Sequence, residues 1–460
     1  VQVLDMRHAK SVTRYPLYVA LAGAALLLAP SQAGAQTLNE ALAAAYESNP
    51  TLLAQRAQLR ATDEGLPEAR AGWRPSLRAD GQAGVGTVDS GTGATDTKPL
   101  SYGLYASQPL YRGGRTSAST SRANNIILAE RARLLSVEQQ ILLGAATAYM
   151  DVARDYKVLE LSIRNEQVLA RELNATRDRR RVGELTRTDV AQAQARSAGA
   201  AAGRIQAQGN LQGSRAEYLR IIGRPAESPQ SPPMLQGLPL TIEEAMKFSE
   251  ENNPDIIAAR HLQDAAEDEI RLARGEMLPT LSLNGQVEHR EDFGGPGSES
   301  DSASVMAQLS IPLYQGGGPS ARVRRAKQVA SQRLIQLDET RRAVRAGATA
   351  SWEILSVARA RVTQFEAQVE ANKTALEGTR QQAGVGSRIL LDVLNAEQEL
   401  LDAQVSLEVA KRDAFVASLQ VLASIGRLTA RDLSLNVEYY DDSAYYKDVK
   451  GKLGGTGIND

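Results

Sequence analysis

Pro109-Leu110-Tyr111-Arg112-Gly113-Gly114 returns as Pro312-Leu313-Tyr314-Gln315-Gly316-Gly317, and this paired step decides how the whole chain is read. Upstream of it, Thr37-Leu38-Asn39-Glu40-Ala41 returns as Thr241-Ile242-Glu243-Glu244-Ala245. Asn49-Pro50 returns as Asn253-Pro254, and Arg74-Pro75-Ser76-Leu77 as Leu278-Pro279-Thr280-Leu281. Downstream, Val182-Gly183 returns as Val385-Gly386, Asp189-Val190 as Asp392-Val393, and Ile222-Gly223-Arg224 as Ile425-Gly426-Arg427. The upstream matches share an offset of 204 residues and the later ones 203, so one deletion separates the halves. A period of about 200 residues is far too long for a solenoid unit. It is a duplicated large module, a device common in transport proteins and symmetric assemblies.

Working outward from the paired step, the residues on its N-terminal side alternate. In Leu77 to Val85, and again in Tyr102 to Ser107, apolar and small residues interleave with polar ones, which is a strand pattern. Val88 to Pro99 between them is a polar loop rich in Gly, Ser, Thr and Asp. The second half repeats this. Leu281, Leu283, Gly285 and Val287 alternate with Ser282, Asn284, Gln286 and Glu288, and Val305, Ala307, Leu309 and Ile311 share one face. Beyond the Gly pair, Thr116 to Arg181 contains no Pro and only Gly144, which predicts a helix of about 100 Å. Leu134, Ile141, Ala148 and Val152 give it a heptad-like seam. Val182-Gly183 breaks it, and a second helix runs from Thr188 to Ile222. The residues over 38–73 read as a further helix ended by Pro75. The second half gives helices over 242–277, 319–383 and 388–424, with Gly384-Val385-Gly386 as its turn. Each half is thus one long helix against two stacked shorter ones, with a hairpin at one end and a Gly turn at the other.

The domain boundaries follow. Residues 1–35 read as a secretory signal peptide. Arg7, His8, Lys10 and Arg14 precede the apolar run Leu17 to Ala29, and Ala33-Gly34-Ala35 is the cleavage site. The first repeat spans 36–226, a Pro-rich linker 227–240, the second repeat 241–427, and a tail with two Tyr pairs 428–460. There is no Cys, so no disulfide and no thiol-bound metal. The net charge of −1 leaves no footprint for nucleic acid. The three His residues, His8, His261 and His289, have no metal-like spacing. Gly316-Gly317-Gly318 lacks the Lys-Ser/Thr of a phosphate loop. No catalytic constellation, metal site or cofactor site is expected, and the chain is read as a non-enzyme.

Past the signal, no apolar stretch reaches the roughly 20 residues of a transmembrane helix. Strands of about ten residues suit a tilted crossing of a bilayer. Lipid requires such strands to close into a barrel, and barrels have at least about eight. Four strands must therefore be pooled with those of other copies; the alternative is an edge-rich soluble sheet capped on long helices, whose apolar face no helix pattern here covers.

Over about residues 37–427 the chain resembles the TolC-like outer-membrane efflux family. The resemblance rests on the duplicated order helix–strand–strand–helix–helix, on the Pro-Leu-Tyr-x-Gly-Gly pair, and on the tips Val182-Gly183…Thr188-Asp189-Val190 and Val385-Gly386…Leu391-Asp392-Val393. It implies a mainly α fold: a long coiled-coil tunnel plus four transmembrane β-strands per chain, with a homotrimer completing a twelve-stranded barrel. It implies a passive exit duct in the cell outer membrane with a periplasmic helical extension. The duct would carry proteins of type I secretion, drugs, or both. They would come from an inner-membrane pump such as an ABC or RND transporter, through a periplasmic adaptor protein. Its partners would include outer-membrane lipid but no nucleic acid. The alternative class is a structural or adhesive coiled-coil surface protein without channel activity.

The resemblance also assigns roles. Gly386 to Asn395 matches the gate segment, with Asp392 on the acidic ring that constricts the pore. The family often has a second Asp one turn on, where this chain has Asn395. Arg388 matches a latch residue whose partners fall on Thr188 and Asp189, and the aromatic latch position falls on Ala383. Val182, Gly183, Glu184 and Leu185, with Val385, Gly386 and Ser387, look like adaptor-docking tips. Arg179-Arg180-Arg181 reads as a solvated face, with a role in adaptor contact as the alternative. Trp73, Tyr102, Tyr105 and Tyr111 read as an interfacial aromatic belt, with ordinary packing as the alternative.

Overall fold

The computed structural model describes residues 37–458, apart from positions 90, 92, 228, 231, 234, 236, 294 and 296. The expected signal peptide lies outside the described residues. The first repeat contains α1 (Leu38–Ser48), α2 (Pro50–Asp63), α3 (Gly65–Arg70), β1 (Ser76–Ala83), β2 (Gly86–Asp89), β3 (Ala94–Thr97), β4 (Leu100–Arg112), α4 (Arg115–Arg181) and α5 (Arg187–Ile222). The second contains α6 (Ile242–Asn252), α7 (Pro254–Gly275), β5 (Thr280–Glu291), β6 (Glu299–Ser310), α8 (Gly318–Gly384) and α9 (Leu390–Ser424), and the tail holds α10 (Ala444–Val449).

The segments expected as single helices over 38–73 and 242–277 are each broken, and proline is the reason. The ring of a proline pushes the preceding residue out of the helical region. Asn49 stays extended at φ −66°, ψ 122°, and Asn253 at φ −66°, ψ 124°. Both asparagines then serve two helices at once. The Asn49 side-chain oxygen accepts from the Thr51 and Leu52 N–H groups at the start of α2, and its amide donates to the Ile221 carbonyl near the end of α5 at 2.9 Å. Asn253 accepts from the Asp255 N–H and donates to the Ser424 carbonyl at the end of α9 at 3.0 Å. These two joints dock α2 onto the end of α5, and α7 onto the end of α9. At the second joint Gly426 has φ +78°, and a Cβ there would run into the Asn252 carbonyl.

Four strands form one antiparallel sheet in the order β1-β4-β5-β6. The central pairing, β4 to β5, joins the two repeats, with Tyr105 opposite Gln286 and Ser107 opposite Asn284. Cross-strand partners share a face. Leu77, Ala79, Leu104, Val287, Val305 and Leu309 fall on one face, and Arg78, Asp80, Gln82, Gln286, Ser304 and Gln308 on the other. The apolar face is bare: Leu77 is 76% exposed and Val305 74%. Of the expected aromatic belt, Trp73, Tyr102 and Tyr111 are exposed. Tyr105 stands on the opposite, polar face, with Arg78 5.0 Å from its ring centre, because alternation puts it out of phase with Tyr102. The loop expected over Val88–Pro99 contains a small hairpin of its own, β2 with β3.

The packed core sits at the waist, where the two joints meet the middle of α4. Leu42, Leu142, Tyr149, Val152, Tyr218, Ile222, Phe415 and Leu419 are almost fully buried there. Each such aliphatic side chain stabilises the fold by about 1.5–3 kcal/mol. Tyr149 also fixes the linker, its hydroxyl donating to the Gln230 carbonyl at 2.8 Å and accepting from the Gln230 N–H at 3.0 Å. Of the expected seam, Leu134, Ala148 and Val152 are buried and Ile141 is half-buried.

The tail belongs to this waist. Leu428, Ala430 and Leu435 are buried, and the Ala430 N–H donates to Glu138 at 2.7 Å. From there the chain lies along the first repeat. Arg56 is held between the rings of Tyr46 and Tyr440, at 4.5 and 5.0 Å. The Tyr445 hydroxyl donates to Glu64 at 2.6 Å, and Arg131 lies 5.0 Å from the Tyr446 ring. Arg70 and Arg74 donate to the Lys450 and Lys452 carbonyls at 2.8 and 2.7 Å. Beneath this strap lies Asp63, 1% exposed, with neither carboxylate oxygen hydrogen-bonded among the described residues. Burial pushes its carboxyl up to about 6, against the opposing pull of Arg131.

Candidate functional site

The far ends of α4/α5 and α8/α9 are two turns built alike from different residues. α4 and α8 are both 67 residues, so each turn stands about 100 Å from the start of its helix. Gly183 at φ +86° and Gly386 at φ +80° make the reversal in a left-handed conformation that a side chain resists. In the first turn the Gly183 N–H donates to the Arg180 carbonyl and the Glu184 N–H to that of Arg179, both at 3.0 Å. In the second, Gly386 donates to Ala383 at 3.1 Å and Ser387 to Gln382 at 3.0 Å. Val182 and Val385 are left 72% and 82% exposed, while Leu185 is half-buried.

The helices that follow start differently. α5 opens on a capping box: the Asp189 carboxylate accepts from the Thr186 N–H at 2.8 Å and hydroxyl at 2.7 Å, and the Asp189 N–H donates back to Thr186 at 3.2 Å. These donors hold the Asp189 carboxyl below the usual carboxylate range, the hydroxyl contributing most. Thr188, the neighbouring expected latch residue, is exposed. α9 starts at Ile389, which offers no side-chain cap. Its first turn is held by Arg388, which donates to Gln382 at 3.2 Å and pairs with Asp392 at 3.6 Å.

The structure therefore brings together Arg388 and Asp392, both from the second repeat. It does not bring Arg388 to Thr188 or Asp189 of the same chain, where Asp189 is engaged by Thr186. Asn395 accepts from Arg196 of α5 at 2.7 Å, a bond between the repeats. Arg196 was not among the expected site residues. It sits in an Ala- and Gln-rich stretch whose pattern gives it no distinction. Leu169 of α4, Ala200 of α5 and Leu394 of α9 form a small apolar cluster beside this bond. Arg380 pairs with Glu397 across α8 and α9. Among the described residues no group of three or more His, Cys, Asp or Glu is arranged to hold a metal ion. No helix among them is long and apolar enough to cross a membrane.

Comparison with known proteins agrees with this layout. Residues 41–224 and 247–427 match the family profile described as outer membrane efflux protein, one match per repeat. The outer membrane efflux protein BepC of Brucella suis is 32% identical over 452 residues, covering 96% of this chain and 98% of BepC. The outer membrane protein TolC of Vibrio cholerae is 28% identical, covering 91% of this chain and 96% of its own. The solved outer membrane channel CmeC of Campylobacter jejuni superposes with a TM-score of 0.77 over 91% of this chain and 90% of its own, at 16% identity.

Proposed function

The chain belongs to the outer membrane efflux protein family, and from that membership we propose that three copies of it form the passive exit duct of a tripartite export system. Members of this family are channels of the outer membrane with a periplasmic helical tunnel, not enzymes. An inner-membrane pump, of the ABC or RND kind, supplies the energy, and a periplasmic adaptor joins it to the tips. Both small toxic compounds and secreted proteins suit such a duct, since the pump rather than the duct selects the cargo.

The observation that carries this reading is the sheet with two open edges and a bare apolar face. Within the chain β4 pairs with β5, the second strand of one repeat with the first strand of the next. The same step repeated pairs β6 with β1 of another copy. The residues just after β6 support it: Leu313 and Tyr314 are 93% and 87% exposed, whereas their counterparts Leu110 and Tyr111 in paired β4 are 49% and 45% exposed. Three copies give twelve strands, a closed barrel whose apolar face meets lipid.

At the other end, three Asp392 carboxylates around a narrow axis attract cations and repel anions. Arg388 offsets part of that charge while it stays paired. Breaking the pair frees the carboxylates and the turn together, so the pair acts as a latch. The decisive experiment uses the Cys-free background: Asp392→Cys, oxidation of whole cells, and a non-reducing gel. A reducible dimer band is expected. Monomer alone, from correctly exported protein, removes the axial placement of Asp392.

A further inference from the structure

The two tips share a backbone and differ in charge. The first carries Arg177, Arg179, Arg180, Arg181 and Arg187; the repeat places Arg380, Gln382, Ala383, Gly384 and Leu390 at the matching positions of the second. Arg181 pairs with Asp178 at 2.9 Å. Arg177, Arg179, Arg180 and Arg187 are exposed, and no hydrogen bond or ion pair holds them among the described residues. Arg380, by contrast, is paired with Glu397.

Helix stability does not account for this. Basic residues favour the last turn of a helix. That applies equally to α4 and α8, yet α8 has none in its last turn and α4 has three. Arg187 lies in the first turn of α5, where the helix dipole opposes a positive charge. Most carboxylates nearby are engaged: Asp178 by Arg181, Asp189 by Thr186, Asp392 by Arg388 and Glu397 by Arg380; exposed Glu184, in the turn itself, is a single carboxylate set among four unpaired arginines. The complement must come from another molecule. Exposed Val182 at the centre of the arginines makes the patch apolar within and basic around, and arginine is enriched in protein interfaces.

We propose that the first-repeat tip is the electrostatic half of the docking site. Arg177, Arg179, Arg180 and Arg187 receive carboxylates on the facing end of a periplasmic partner protein, while the second-repeat tip gives contact without charge. The proposal rests on the reading of the tips as docking turns and adds the chemistry of what docks. It gives the six tips of a trimer two alternating characters, so the partner assembly must alternate in the same order.

The test is charge reversal, Arg179→Glu with Arg180→Glu and Arg187→Glu, in the full-length protein in its own cells. Export is read as resistance to a pumped compound. The amount of trimer in the outer membrane and the conductance of the purified trimer are read in parallel. Export should fall about tenfold or more, with trimer and conductance unchanged, because like charges set face to face block the encounter. Gln382→Glu with Leu390→Glu should do far less. Selection for restored export should return acid-to-Lys or acid-to-Arg changes in the partner. Wild-type export by the reversed variant overturns the proposal, and loss of trimer overturns it in favour of a role within the tunnel. Arginine-dependent binding of the purified trimer to phosphatidylglycerol vesicles, with export unaffected, assigns the patch to a membrane instead. Gly183→Trp separates the two levels. If it abolishes export while the reversal does not, only the acidic partner falls; if it too exports normally, the docking reading itself falls.

Discussion

Asp63 is a buried carboxyl whose two oxygens accept no hydrogen bond among the described residues. Folded, it keeps its proton to about pH 6. Unfolded, it releases it near the ordinary aspartate value of 3.8. The folded state thus binds the proton more tightly, and stability is lost as pH rises through that window, by on the order of 3 kcal/mol once it is passed. Asp63→Asn keeps the shape and removes the charge. It should raise the thermal midpoint of the purified protein at pH 8 and leave it unchanged near pH 4; an equal shift at both values would remove burial of charge as the cause. At the tip, Arg388→Ser breaks the pair with Asp392, and Asp189→Ala removes the box that starts α5. Each should make the proposed trimer leaky, read as higher closed-state conductance and easier entry of large antibiotics. No change in both variants would set the latch aside. The sequence marks Asp392, Arg388 and Asp189 because they lie in turn motifs that recur. It does not mark Asp63 or Arg196, whose partners are brought up by folding and have no counterpart nearby in the chain.

Elements were legible where period or glycine spoke alone. The bounds Arg115–Arg181 and Gly318–Gly384 fall within about a residue of those expected, because nothing interrupts their composition. The segments over 38–73 and 242–277 read as single helices because a helix-rich composition outweighs Pro50 and Pro254. Those prolines do more than stop a helix, since the asparagines before them tie α2 to α5 and α7 to α9. Asn49→Ala removes a cap and leaves the Ile221 carbonyl without its donor, a cost of about 1–3 kcal/mol. Asn253→Ala should cost a similar amount at the twin joint. Denaturant midpoints of the two single variants and the double variant check this. Near-additive losses are expected, because the joints lie in different repeats; no loss in either would mean that packing alone holds the joints.

For the whole molecule the central question is what covers the open edges of the sheet. The repeat answers with a register. Ser107 of β4 faces Asn284 of β5, with their side chains 2.8 Å apart. In the proposed barrel their counterparts are Ser310 of β6 and Asp80 of β1 in the next copy. Ser310→Cys with Asp80→Cys should link copies into a closed, covalent trimer on oxidation, while Leu309→Cys with Asp80→Cys should not, since those two residues face opposite sides. Links in the second pair alone would shift the register by one and turn the apolar face inward. The strap of residues 428–452 bears on a different matter, the order of events in time. Its partners Tyr46, Glu64, Arg70 and Arg74 lie some 380 residues earlier in the chain. They emerge from the ribosome while the strap is still unmade. Contacts that distant form late in folding. The first repeat therefore spends its early life with Asp63 open to water and ionised, and only a chain that has been delivered through residue 452 closes over it. The waist thereby registers completion: a polypeptide cut short after its second repeat carries both sets of strands and both tips, but leaves its own beginning unfastened.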